Sequence, residues 1–250
     1  MAEKITGRQL KTTQTSLAIL RLILEHDGLT LAEIDEFVDS SKPSICSHLN
    51  TLCEHRYVVK DDGVYRVSYR LALLGRRSSR RYPSMDAVSS VVDELATTTG
   101  QEANFTIFEH GRLLLFYGAS SDEDAVEGYR SEYYLHNTAA GKAILAALDS
   151  ERGEAIIDRW GLPREAPATI TSRSELVATL AEIRGDGHAI VDEEFAPGLV
   201  SVGAPVYATD GSILGGLSVG GPKFRIDMTR LDTDIASTLH DAVDTLESVL

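Results

Sequence analysis

Three sets of residues in this 250-residue chain have types and spacings that suggest chemistry. The first, Gly216-Leu217-Ser218-Val219-Gly220, has the Gly-x-Ser-x-Gly spacing of a nucleophile elbow. There a serine sits on a sharp strand-to-helix turn and attacks a carbonyl with help from an acid and a His placed later in the chain. Here the match lies in an apolar run that continues into Gly221-Pro222, and His240 is the one later His. A hydrolase of that type also needs far more chain after its elbow, so a Gly-rich strand beside a cavity explains these residues better. The second set, Cys46, His48, Cys53 and His55, matches no zinc-ligand spacing. Two helical turns separate the cysteines by about 10 Å, too far for a disulfide. No catalytic residue, metal ligand or cofactor is assigned.

The third set is Ser41, Lys42, Ser44, Ser47 and His48. These side chains donate and accept hydrogen bonds, and they fall on the outward N-terminal part of an expected helix over residues 42–55. Their lengths suit phosphates and base edges in the major groove of DNA, although helix capping alone also gives a small three-helix domain a polar, Ser-rich face. Lys60 and Arg66, on the hairpin that follows, are expected as further DNA contacts.

The elements needed to present them are legible. Residues 13–25 place Leu17, Leu20 and Leu24 at helical spacing, flanked by Ile19 and Ile23, and Asp27-Gly28 ends that helix. Thr30 with Glu33 makes a capping box for a second helix through residue 38, with Ile34, Phe37 and Val38 inward. Pro43 suits the first turn of the third helix, whose inward face is Ile45, Leu49 and Leu52. Asp61-Asp62-Gly63 then signals a hairpin over residues 57–67. Helix, turn, helix and β-wing in this order describe a winged helix-turn-helix. Residues 71–75 begin a short helical linker ending in Arg76, Arg77, Arg80 and Arg81, either extra phosphate contacts or a solvated helix end, and Pro83 stops it.

The remainder reads as α+β with an antiparallel sheet. A helix covers residues 85–100. Ala103, Phe105 and Ile107 alternate with Asn104 and Thr106, and His110-Gly111 turns the chain into residues 113–117. An acidic loop at residues 121–124 precedes a strand over 126–135. Helices are expected over 138–148, 150–160 and 174–185, strands over 200–207 and 213–220 around Asp210-Gly211, and a last helix over 229–250.

Charge divides the chain in the same place. Up to Arg81 there are 13 basic against 10 acidic residues, and beyond it 11 against 28, within a net charge of −14. DNA repels acid, so a least-acidic head on a steeply acidic body fits a division of labour. Eighteen of the 24 basic residues are Arg, a Lys-poor, acidic profile that suits either concentrated salt and a halophilic archaeal source or an ordinary acidic protein from a GC-rich genome; the first is expected. The N-terminus lacks a signal-type apolar run and no segment reaches transmembrane length, so a cytoplasmic protein without membrane contact is expected.

Across essentially its whole length the chain resembles the IclR family of transcriptional regulators. Ser41-Lys42-Pro43-Ser44-Ile45, Leu49, Thr51-Leu52 and Tyr57-Val58 resemble that family's recognition helix and wing. Residues 135–143 (LHNTAAGKA) are similar to its LHATAxGKA segment, Asp192-Glu193-Glu194-Phe195-Ala196-Pro197-Gly198 with Ser201-Val202-Gly203-Ala204-Pro205-Val206 to its DEEFxPG…VAAPV signature, and Leu217-Ser218-Val219-Gly220-Gly221-Pro222 to its LSVSGP. Ser201 stands where the family often has Cys, and Gly220 where it often has Ser.

The resemblance implies a winged helix-turn-helix at residues 1–68, a helical linker at 69–83 and a GAF-like effector-binding and oligomerisation domain at 84–250. It also implies dimers or dimers of dimers, binding to double-stranded, pseudopalindromic operator DNA, and a small-molecule effector, an organic acid or aromatic metabolite. Carried over by position, the effector contacts are Asn137, Thr138, Asp192, Ser201 and Ser218. The alternative readings are a serine hydrolase using Ser218 and a GAF-like sensor acting through protein partners.

Overall fold

The computed structural model describes residues 7–79, 85–120 and 131–249. They fall into two compact units that meet in sequence at residues 82 and 83. The expected acidic loop at 121–124, the first half of the expected strand over 126–135, and Arg80, Arg81 and Pro83 lie outside the described residues.

In the first unit, α1 (Lys11–Glu25), α2 (Leu31–Phe37) and α3 (Lys42–Glu54) pack around Ile19, Ile23, Ile34, Ile45 and Leu49, all fully buried. Thr30 caps α2 through the Glu33 N–H, and the Glu33 carboxylate answers the Thr30 N–H at 2.7 Å. The wing is β2 (Val58–Asp61) and β3 (Val64–Val67), joined by Asp62 and Gly63, both at positive φ, as a two-residue hairpin turn requires. The unforeseen strand β1 (Leu29–Thr30) pairs with β3 and fixes the wing to the helices. Helix α4 (Arg70–Ser78) follows the wing, and the Arg70 guanidinium lies over the Tyr57 ring.

Two expected core faces are corrected. On α1 the buried face belongs to Ile19 and Ile23, whereas Leu17 and Leu24 are about half and two-thirds exposed (48% and 65%). Both stripes have helical spacing, and only packing against α2 and α3 selects one. Phe37 also faces out, because α2 ends there; its ring lies against His26 instead, with centroids 5.2 Å apart.

The second unit is built on a six-stranded antiparallel sheet in the order β6-β5-β4-β9-β8-β7. Its strands are β4 (Glu102–Glu109), β5 (Arg112–Ala119), β6 (Glu132–Tyr133), β7 (Ala189–Asp192), β8 (Leu199–Tyr207) and β9 (Ile213–Pro222). Helix α5 (Met85–Thr99) packs on β4 and β5 and against the C-terminal helix α10 (Ala236–Ser248). Helices α6 (Ala139–Ala147), α7 (Ser150–Trp160) and α8 (Arg173–Asp186) share a second core through Ile144, Leu145, Ile156, Leu176 and Leu180. Instead of one helix over 229–250, a short turn α9 (Met228–Arg230) and a π turn (Leu231–Ile235) lead into α10. A π turn takes more residues per revolution, which helps keep Leu231, Ile235 and Leu239 on one buried face.

Candidate functional site

The first candidate surface is the exposed side of α3. Its sequence forces an amphipathic helix: Ile45, Leu49 and Leu52 fill the head core, Pro43 opens the first turn, and what remains outside is polar. Ser41, Lys42 and Ser47 are exposed and Ser44 is half-buried. Ser47 turns its hydroxyl back to donate to the Pro43 carbonyl at 3.0 Å, leaving the oxygen able to accept. His48 departs from expectation. It is half-buried, and its Nδ1 shares a 2.8 Å hydrogen bond with the Ser16 hydroxyl on α1. That bond fixes α3 against α1, and it draws the imidazole toward the helix pair. Asn50 and Thr51 are exposed one turn beyond Ser47 and were missed, although their spacing from Ser47 places them on its face.

On the wing, Lys60 pairs with Tyr65 and Val59 with Arg66 across the β2–β3 ladder. Paired residues share a face, so Lys60 and Arg66 leave the wing on opposite sides. The Lys60 ammonium sits 5.0 Å from the Tyr65 ring centre.

The second candidate site is a cavity of about 240 Å³ in the second unit, between one face of the sheet and the N-terminus of α6. Period-two alternation supplies its polar wall. Glu102, Asn104 and Thr106 project from β4, Ser218 from β9 and Ser201 from β8, while Ala103, Phe105, Ile107, Leu217 and Val219 point to the opposite, buried face. Ladder register puts Asn104 beside Ser218 and Glu102 beside Gly220, which in turn pairs with Ser201. The apolar wall includes Leu113, Tyr133, Val191, Phe195 and Leu199.

Helix α6 reaches the sheet because glycine lies beneath it. A Cβ on Gly203 would stand 2.3 Å from the Ala140 nitrogen. Thr138 spends its hydroxyl on the Tyr134 carbonyl at 2.9 Å and does not cap α6. The first N–H groups of the helix, with its positive dipole end, therefore border the cavity beside Thr138, Ala139 and Ala140.

Of the five expected effector contacts, Thr138, Ser201 and Ser218 line this cavity, and Asn137 and Asp192 do not. Asn137 is fully buried under α6, where its amide donates to Glu165 at 2.8 Å and its carbonyl oxygen is buried without a partner. Asp192 is exposed at the end of β7, on the opposite side of the strand from the cavity-lining Val191, and is bound there by Lys223. Asn104, Thr106 and Glu102 were missed as site residues, although the alternation of residues 103–107 already set 104 and 106 on one face.

Ser218 is no nucleophile elbow. It lies mid-strand, with Asn104 and Gly203 as ladder partners on either side, and its hydroxyl donates to Asn104 Oδ1 at 2.9 Å. The strand continues through Gly220 where an elbow would turn into a helix. Among the described residues, no group of three or more His, Cys, Asp or Glu side chains is placed to hold a metal ion.

Residues 193–198 form a loop that carries Phe195 into the cavity wall, where its ring meets Tyr133 with centroids 5.5 Å apart. Glu194, in the same loop, accepts from the Lys142 ammonium inside the protein, and its main-chain oxygen accepts from Thr169 at 2.6 Å. Burial pushes the Lys142 ammonium below the usual lysine range, and Glu194 pulls it back up. His136, at the base of α6, is likewise held below the ordinary imidazole range by burial, opposed by its contact with the Pro163 carbonyl.

Comparison with known proteins agrees with both units. The IclR helix-turn-helix domain model matches residues 14–62, and the model described as bacterial transcriptional regulator IclR C-terminal matches residues 81–248. The chain is 28% identical over 246 residues to the probable HTH-type transcriptional regulator ArcR of Halobacterium salinarum, covering 96% of this chain and 94% of that protein. It is 29% identical to the HTH-type transcriptional regulator BhcR of Paracoccus denitrificans over 94% of this chain and 84% of that one. The crystal structure of IclR from Thermotoga maritima superposes with a TM-score of 0.73 at 22% identity, covering 96% of this chain and 98% of that one. With matching domain models over both units, the chain belongs to the IclR family of transcriptional regulators.

Proposed function

We propose that this regulator reads a pseudopalindromic, double-stranded operator through α3 and the wing, and that a small metabolite in the body cavity changes its operator affinity. The observation that carries the proposal is the cavity itself. One sheet face contributes Glu102, Asn104, Thr106, Ser201 and Ser218, an apolar wall faces them, and a helix N-terminus borders the space. Few convergent polar groups in an apolar pocket are the marks of a small-molecule site. Among the described residues that line it, Glu102 is the one carboxylate, and none is Lys, Arg or His. A ligand carboxylate is therefore best received at the α6 N-terminus, with hydroxyl or amino donors toward the strands.

The proposed DNA contacts are Ser41, Lys42, Ser44 and Ser47, with Asn50 and Thr51 extending the stripe and Lys60 and Arg66 flanking it. His48 is assigned to orienting α3. We place the DNA-binding domain at residues 1–68, the linker at 69–83 and the effector domain at 84–250. The exposed Leu17 and Leu24 on α1, with Leu10 at its N-cap, offer an apolar stripe for pairing two copies. We assign no catalytic step to Ser218 and place the protein in the cytoplasm. Among the described residues no helix is long and apolar enough to cross a membrane. The Arg-rich, acidic composition and the Halobacterium relative support work in concentrated salt.

The test joins both halves. Full-length protein is screened against central metabolites by thermal shift, since a ligand that binds the folded state raises apparent stability. Metabolites that shift the transition are then added to gel-shift titrations with the DNA upstream of the gene. A metabolite that stabilises the protein and changes operator affinity is the expected result. No binding to that DNA at any salt concentration would refute the operator assignment.

A further inference from the structure

The loop of residues 193–198 is held at both ends by one residue. The main-chain N–H of Lys223, just past β9, donates to the Gly198 carbonyl at 2.7 Å. Its side-chain ammonium donates to Asp192 at 2.9 Å and to Glu193 at 2.8 Å, at the opposite end of the loop. The loop also closes on itself, through Gly198 N–H to Glu193 at 3.2 Å and Glu193 N–H to the Leu199 carbonyl at 2.8 Å. Glu193 adopts a φ of 59°, a left-handed conformation unfavourable for a residue with a side chain. The contacts of its carboxylate offset that strain.

We propose that Lys223 is a positioning residue that latches this loop over the cavity. This rests on the reading of the cavity as the effector site. Asp192 and Glu193 are neighbouring carboxylates that repel one another once the ammonium between them is gone. The loop then loosens at its outer edge, drawing Phe195 off Tyr133 and opening the wall. The Glu194–Lys142 pair still ties the loop from inside, so the loop loosens without unfolding. Lys223, Asp192 and Glu193 are all partly exposed, with side-chain exposures of 40%, 45% and 36%, so dissolved salt screens the latch. Access to the cavity accordingly rises with ionic strength. Isolated surface ion pairs do little; here one residue bridges both ends of a strained loop through side chain and main chain together.

The test measures access with no metabolite present. In the full-length chain, Cys46→Ser, Cys53→Ala and Ser218→Cys leave a single thiol on the cavity wall, and its reaction with methyl methanethiosulfonate is timed by mass spectrometry. Adding Lys223→Met is expected to raise the labelling rate by roughly tenfold, because local opening limits the reaction. Lys223→Arg is expected to restore slow labelling. The rate should climb with KCl in the parent and fall in Lys223→Met, where salt screens the repulsion left between Asp192 and Glu193, a reversal that a merely structural role would not produce. Asp192→Asn with Glu193→Gln removes the ion pairs without leaving carboxylates to repel, so it should label faster than the parent, more slowly than Lys223→Met, and with no dependence on KCl. Parent-like labelling in a folded Lys223→Met chain, or in the Asn/Gln pair if Lys223→Met does not fold, overturns the proposal. Effector binding is read separately by thermal shift, so a working latch in a chain that answers no metabolite counts against the effector reading alone.

Discussion

Lys142 on α6 and Glu194 in the 193–198 loop form a buried ion pair that ties the helix at the rim of the cavity to the loop in its wall. The Lys142 side chain is 1% exposed and Glu194 11%, and the second carboxylate oxygen of Glu194 is buried without a partner. Taking both charges out of water is costly, and each is tolerable only because the other is there.

Removing one partner should therefore damage the fold more than removing both. Lys142→Met or Glu194→Leu alone should cost about 3–5 kcal/mol, and the double variant should recover much of that loss. Urea unfolding of the four chains closes the cycle. Additive losses would mean that the two charges are independent.

Lys42 stands exposed in the first turn of α3, where the helix dipole and its own charge both face an approaching phosphate. Lys42→Ala should weaken binding to all DNA sequences alike and lower the salt slope of binding by about one per protomer. Ser47→Ala should instead weaken the operator relative to random DNA. Titrations at several salt concentrations distinguish the two, and an unchanged slope in Lys42→Ala would remove it from the interface.

His136 links stability to pH. Burial lowers its folded-state pKa below the ordinary 6.5, so between those two values the unfolded chain binds more protons than the folded one. Stability then rises with pH across that window, is complete above 6.5, and falls as the medium is acidified below it. His136→Gln keeps an N–H donor for the Pro163 carbonyl and should flatten the dependence. Thermal midpoints from pH 5 to 8 measure this, and parallel curves for both chains would contradict it.

Gly220 leaves no room for a side chain. A Cβ there would stand 2.5 Å from the Val200 carbonyl oxygen and 2.6 Å from the Ser201 Cβ. Gly220→Ala must push β8 aside at a cost of about 1–3 kcal/mol, and it should also shrink the metabolite-induced thermal shift. Unaltered stability would show that the ladder yields more easily than its geometry suggests.

The exposed α1 stripe bears on assembly. Leu17→Glu with Leu24→Glu adds charge where no core residue is lost, so the head should keep its stability while self-association weakens. Light scattering after size exclusion reports the mass. An unchanged oligomer would place the interface elsewhere.

The elements and most of their ends follow from chemistry between near neighbours in the chain. Thr30 and Glu33 make a capping box, Asp62-Gly63 and His110-Gly111 make two-residue turns, and alternation over residues 103–107 makes a strand whatever lies far away. Family motifs distributed along the chain carried the function as well. Contacts between distant residues were decided only by the tertiary structure. On α1, two stripes of equal periodicity competed, and packing chose Ile19 and Ile23. His48 was drawn inward by Ser16, 32 residues earlier, and Asp192 found its partner in Lys223, 31 residues later. Asn104 reached Ser218 across 114 residues of chain through strand register alone. Spacing along a chain fixes which face a residue occupies; what that face meets depends on how the elements pack.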